Sequence, residues 1–106
     1  MHGGVTRQWL SPSACVPPHR VTHPEKVQQL AAAFRDGGWD VERPALVGYP
    51  HGKGVQLLSG SHRWAAAISA GIRIPVRVVP YARVVWAWGD LERWGALMGE
   101  QMGERA

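Results

Sequence analysis

Residues 55–67 read Val-Gln-Leu-Leu-Ser-Gly-Ser-His-Arg-Trp-Ala-Ala-Ala, and they constrain the fold more than any other stretch of the chain. An apolar strand-like run stops at Ser59-Gly60, and an alanine-rich segment that favours helix begins at once. Gly71 ends that helix, predicted over Ser61 to about Ala70, and Ile74-Pro75-Val76-Arg77-Val78-Val79 follows with the residue types of another strand. A strand, a one-glycine turn, a helix and a strand in direct succession place the chain in the α/β class.

The flanking segments fit around this unit. Residues 1–14 are rich in Gly, Ser and Pro, show no periodicity, and read as a loose arm pinned at most by Trp9. Cys15 to Val21 is a short extended piece whose Pro17-Pro18 confines it to a sheet edge or a strand start. Thr22 or His23 then precedes a helix with Pro24 at its first position and Glu25 in its first turn. Val27, Leu30, Ala31 and Phe34 recur on one face of that helix, and Asp36-Gly37-Gly38 stops it. Pro44 to Tyr49 and Val55 to Leu58 read as a hairpin around a five-residue loop, Pro50 to Gly54. The last segment, about Arg83 to Gln101, reads as one helix with Val84, Trp88, Leu91 and Met98 near one stripe.

With 106 residues the chain is about one domain in length and has little core area to spare. A formal net charge of +4 permits contact with a polyanion, and it comes mostly from Arg, which can bond two phosphate oxygens at once. The single cysteine, Cys15, cannot form an internal disulfide, and the five His and one Cys match no structural zinc spacing. No apolar run approaches the ~20 residues that span a bilayer, and Met1-His2-Gly3-Gly4 leads into no signal-type apolar region. These features predict a cytoplasmic protein. Six Trp are many for this length, and Trp86, Trp88 and Trp94 cannot all face one way on a helix. A homo-oligomer contact through residues 83–101 is therefore one expectation.

The strand-to-helix turn carries the chemistry. The first amides of a helix have no partner inside it, and the helix dipole adds partial positive charge there. Gly60 lets a phosphate approach the backbone, Ser61 offers a hydroxyl, and His62 and Arg63 add donors and charge. A plain turn and N-cap would use the same residues, and the turn lacks the length and lysine of a P-loop.

Leu58 to Ala67, followed by Gly71-Ile72 and Ile74-Pro75-Val76, resembles the ParB/sulfiredoxin signature. ParB-type proteins carry Gly-Glu-Arg-Arg at this turn and sulfiredoxins Gly-Cys-His-Arg. Val16 to Val21, Pro24 to Arg35 and Pro44 to Val47 follow the family's order of strand, helix and strand. The resemblance covers about residues 15–80. It implies a small mixed sheet packed with helices, with residues 81–106 as a C-terminal helical extension. It also implies a site for a nucleoside triphosphate, ATP or CTP, with or without Mg²⁺, held by Gly60, Ser61, His62 and Arg63. Arg20 and His23 would lie within reach of phosphate. Glu25, at a helix start near that site, is a candidate general base or metal ligand, as an acidic residue is in the related kinases. Trp64, Trp86 and Trp88 are candidates for base stacking or partner contact.

Three departures narrow the function. Ser61 replaces the catalytic cysteine of sulfiredoxins, so sulfinic acid repair is not expected. Ser61 also replaces the metal-binding glutamate of ParB. Within these 106 residues no helix-turn-helix reader and no dimerisation tail follows, so a full ParB clamp is not expected. Three readings remain: a nucleotide switch, weak NTPase or kinase-like enzyme associated with DNA of a plasmid, phage or mobile element; a DNA-binding accessory protein without turnover; and a protein-interaction module with an idle nucleotide site.

Overall fold

A computed structural model describes residues 6–103. In chain order the elements are β1 (Thr6–Leu10), a 3₁₀ turn (Pro12–Ala14), β2 (Cys15–Val16), α1 (Pro24–Gly37), β3 (Leu46–His51), β4 (Gly54–Leu57), α2 (Ser61–Ala70), β5 (Ile74–Val78), α3 (Tyr81–Ala87) and α4 (Leu91–Gly103). The strands form one mixed sheet in the order β1-β5-β3-β4-β2. β3 and β5 run parallel, with Leu46 opposite Val76 and Gly48 opposite Val78. That pairing needs a crossover, which β4 and α2 supply.

Neighbouring residues of a strand point to opposite faces of a sheet. Leu46 accordingly joins a core with Phe34, Ala31, Trp39, Ala66, Ala67, Ile74 and Val76, which packs α1 and α2 on one face. Val47 joins Val79, Val84, Ala87 and Leu97, which packs α3 and α4 on the other. α1 buries Ala31 and Phe34 and half-buries Val27 and Leu30, so the face read from the sequence is the one that docks. Its N-cap is His23 with Pro24 following.

Four expectations need correction. Residues 6–14 are not a loose arm: Thr6–Leu10 pairs antiparallel with β5 from Thr6↔Val78 to Leu10↔Ile74. The first five residues of the expected arm lie outside the described residues. The extended piece from Cys15 contributes only Cys15–Val16 as strand, parallel to β4, before the two prolines remove further donors. Gln56 extends the attachment by donating from Nε2 to the carbonyls of Val16 and Pro17, at 3.3 and 3.4 Å.

The hairpin loop is Gly52-Lys53, with His51 opposite Gly54, and not five residues. Pro50 is tolerated in the ladder because β3 pairs with β5 only as far as Gly48, so beyond that point a missing N–H costs nothing on the second side.

The C-terminal segment is two helices, not one. Gly89 adopts φ 77°, a left-handed conformation that ends α3, and Asp90 restarts the helix by accepting the Arg93 amide at Oδ1 (3.0 Å). The break turns Val84, Ala87 and Leu97 into the core and leaves Trp88 and Leu91, two members of the expected stripe, 75% and 92% exposed. No helix among the described residues is long and apolar enough to cross a membrane.

Candidate functional site

α2 begins where β4 ends, and Gly60 makes the turn with φ 87° and ψ 33°. A side chain here would be strained, and a Cβ would run into Leu46 Cδ2 in the core. The first helical bond runs from the Trp64 amide to Gly60 O, at 2.8 Å. The amides of Ser61, His62 and Arg63 therefore have no acceptor within the helix.

Each of those side chains has a definite task. Ser61 is buried, and its Oγ accepts the His19 amide at 3.2 Å, which holds the loop after β2 against the turn. His62 Nε2 accepts the amides of Thr22 and His23, at 3.3 and 3.2 Å, at the N-terminus of α1. A ring nitrogen that accepts two N–H groups carries no proton, so His62 is the neutral Nδ1–H form. Its pKa lies below the usual 6.5: desolvation of the half-buried ring lowers it, as does coulombic repulsion involving His23, Lys26 and His19, against a smaller opposing pull from Glu25. Two helix N-termini thus meet across one imidazole.

Arg63 reaches back beneath the turn. Its Nη1 donates to Pro44 O at 3.0 Å, and its guanidinium lies over the Trp39 ring, 5.5 Å from the centroid. Burial, with a smaller contribution from the like charge of Arg43, pushes its pKa down to about 10, and it stays protonated at neutral pH.

Together these groups line a cleft of about 180 Å³ with His19, Lys26, Leu30 and Arg43. Three long cationic side chains, Lys26, Arg43 and Arg63, and the amides of a helix start line the same space. Among the described residues no Asp or Glu lies on the wall. Like charges crowded on a wall with no carboxylate among its lining residues are chemically suited to an anion.

The sequence reading placed Gly60, Ser61, His62 and Arg63 at one site, and all four line this cleft. Other expected members stand outside it. His23 packs its ring beside His62, with centroids 5.6 Å apart, and shares a hydrogen bond with Thr22 Oγ1. Arg20 has its side chain exposed, and its carbonyl meets His19 Nδ1 at 2.7 Å. Glu25 is exposed in the first turn of α1, near His62 but off the cleft wall. Trp64 is turned to the core, its Nε1 donating to Pro12 O at 2.7 Å, and it is no stacking surface for a ligand in the cleft. Trp86 and Trp88 belong to the helices on the other face of the sheet. Trp86 lies between Arg83 and Arg93, 6.0 and 5.3 Å from its centroid.

Lys26, Arg43 and His19 are cleft residues that sequence reasoning missed. Each lies more than fifteen residues from the turn, and only the packing of α1 beside α2 brings Lys26 in. Cys15 is buried on β2 with Sγ 3.8 Å from Ser11 O, and burial raises its pKa, the opposite of what a nucleophilic thiol needs.

Compared by sequence, the chain matches no protein-family model and no curated protein. Compared by structure, it matches a sulfiredoxin from Arabidopsis thaliana with a TM-score of 0.58 at 18% identity, over 76% of this chain and 94% of that one. It also matches a C-terminally truncated chromosome-partitioning protein ParB from Caulobacter crescentus, complexed with CTP-gamma-S, with a TM-score of 0.59 at 20% identity. That match covers 95% of this chain, which spans 54% of the ParB chain. The fold is ParB/sulfiredoxin-like. At these identities the likeness concerns the fold alone.

Among ParB/sulfiredoxin-like structures the ParB neighbour was solved with a nucleotide, and metal ions accompany nucleotide phosphates in many sites. Mg²⁺ is usually held by one or two carboxylates together with the phosphates. Here the wall offers ammonium and guanidinium groups instead, and Asp40, the nearest acidic partner of Arg43, lies 3.7 Å from it in an exposed pair. Among the described residues no group of three His, Cys, Asp or Glu could hold a metal ion. The residues present do not fit a protein-held Mg²⁺.

Proposed function

We propose that this chain is a nucleotide-binding module, an NTP-responsive switch whose cleft between the starts of α1 and α2 holds the phosphates. The observation that carries this reading is that Lys26, Arg43 and Arg63 line one cleft with Gly60, Ser61 and His62 at the start of α2. The ParB neighbour's complex with CTP-gamma-S supports it. The cleft volume of about 180 Å³ lies below the ~300 Å³ at which small-molecule sites begin, so it takes the phosphates while the nucleoside rests outside. ATP and CTP are the candidate ligands. Glu25, exposed near His62 and off the cleft wall, is the candidate acidic group for weak NTP hydrolysis or phosphoryl transfer.

Thermal unfolding with ATP, CTP, GTP and their diphosphates tests this. A ligand specific to the folded state adds ~2.7 kcal/mol at a hundredfold excess over its Kd. Arg43→Ala, at an exposed position, should cut that stabilisation to about 1.4 kcal/mol at the same ligand concentration, as a tenfold weaker Kd requires, while leaving the unliganded transition in place. Absence of any shift, together with salt-dependent retention on DNA, would favour the accessory DNA-binding reading instead.

A second reading has its own observation. Tyr81, Val85, Trp86, Trp88 and Leu91 leave a broad apolar surface exposed on α3 and the start of α4. Such a surface suits protein contact, including contact with a second copy of this chain. Concentration-dependent mass by light scattering, lost in Trp88→Ala, would support that reading.

A further inference from the structure

The donor set of the cleft says how its ligand is charged when it binds, an inference that rests on the phosphate-binding reading above. The geometry points to a site that takes a di- or triphosphate as the free polyanion, with Lys26, Arg43 and Arg63 in the place of a divalent cation.

Three observations carry this. First, the wall draws its cations from three separate segments. Lys26 comes from the first turn of α1, Arg43 from the loop before β3, and Arg63 from α2, and all three line the one cleft. A free polyphosphate would neutralise them, whereas Mg²⁺ cancels two of the ligand's charges before it arrives and adds a cation to a cationic enclosure.

Second, the oxygen donors a metal would need are committed. The Ser61 hydroxyl is buried and receives the His19 amide, and Asp40 faces Arg43. His62 has its Nε2 occupied by two backbone amides. Glu25 lies outside the wall.

Third, Mg²⁺ sheds its water reluctantly and normally keeps several waters, so a metal complex would bring that shell between the phosphates and the cationic wall of the cleft. Direct pairing of phosphate oxygens with Arg forks needs no such shell. Arg63 is well placed for this because its bond to Pro44 O and its stacking on Trp39 fix the guanidinium plane before any ligand arrives.

The test is isothermal titration of the full chain with inorganic pyrophosphate, CTP and ATP, once in EDTA and once in excess Mg²⁺. Binding in EDTA should be at least as tight as in Mg²⁺, and for pyrophosphate about tenfold tighter. Lys26→Ala and Arg43→Ala, both at exposed positions, should each weaken binding in EDTA about tenfold with unchanged circular dichroism. Binding seen only with Mg²⁺, or strengthened tenfold or more by it, would overturn metal independence and leave nucleotide binding standing. No binding of any probe in either buffer would overturn the nucleotide reading and this inference with it.

Discussion

Gly60→Ala is the substitution whose cost can be worked most closely from the structure. Gly60 holds φ 87°, and left-handed backbone costs an alanine about 1–2 kcal/mol. The new methyl would also collide with Leu46, meeting Cδ2 first and then Cδ1 and Cγ at 3.2 and 3.3 Å. Leu46 is fully buried between α1, α2 and the sheet, so it has no free space to retreat into. Overpacking of this kind adds about 1–3 kcal/mol. The sum, about 2–5 kcal/mol, is a large part of the ~5–15 kcal/mol that holds a domain of this size.

Gly71→Ala is the internal control. Gly71 has a similar φ of 71°, ends the same helix, and has nothing within 4 Å of its Cβ direction. It carries the backbone strain without the collision, and both substitutions reduce the freedom of the unfolded chain equally. Urea unfolding followed by circular dichroism should place the Gly60→Ala midpoint about 1 M below that of Gly71→Ala, at equal slope. Equal midpoints would refute the argument that the turn is wedged against Leu46. A Gly60→Ala midpoint matching wild type would refute the strain argument as well.

Other outcomes follow from single contacts. Trp64→Phe loses the indole bond to Pro12 O; that carbonyl keeps the Cys15 amide, so the cost should be near the low end, about 1–2 kcal/mol by urea unfolding. His62 has its folded pKa below its unfolded value, so the unfolded chain binds the proton more readily. Its contribution is intact above the usual value of 6.5 and is lost as pH falls through the folded value. Wild-type stability should thus drop on mild acidification, and His62→Gln should drop less; equal slopes would remove His62 as the cause. The Cys15 thiol should resist a chromogenic thiol reagent in the folded protein and react fully in urea, and fast reaction without denaturant would contradict its burial.

The elements with strong local signals were legible in the sequence. Pro24 at a helix start, the Ala31 and Phe34 spacing and the glycines after Asp36 define α1 without tertiary help. The Ser59-Gly60-Ser61 turn, read against the alanines behind it, located both α2 and the centre of the cleft. β1 was illegible for a physical reason: Thr-Arg-Gln-Trp-Leu is an edge strand, exposed along most of its length, and its partner lies about seventy residues away. The split between α3 and α4 turns on Gly89 and the Asp90 cap, two local features that an apolar stripe read over residues 83–101 runs straight through. In the site, the turn residues could be read because they are contiguous. Lys26 and Arg43 could not, because their part in the cleft exists only after α1, the loop before β3 and α2 have packed.

The pairing of β1 with β5 also sets an order of events during synthesis. Thr6–Leu10 leaves the ribosome before every residue it pairs with, all of which lie between Ile74 and Val78. At ~5–20 residues per second the strand waits several seconds without a hydrogen-bonding partner. Trp9, still 48% exposed after folding, is uncovered throughout that wait. The nascent chain is therefore open to chaperones and to misassociation at Thr6–Leu10 until β5 has emerged.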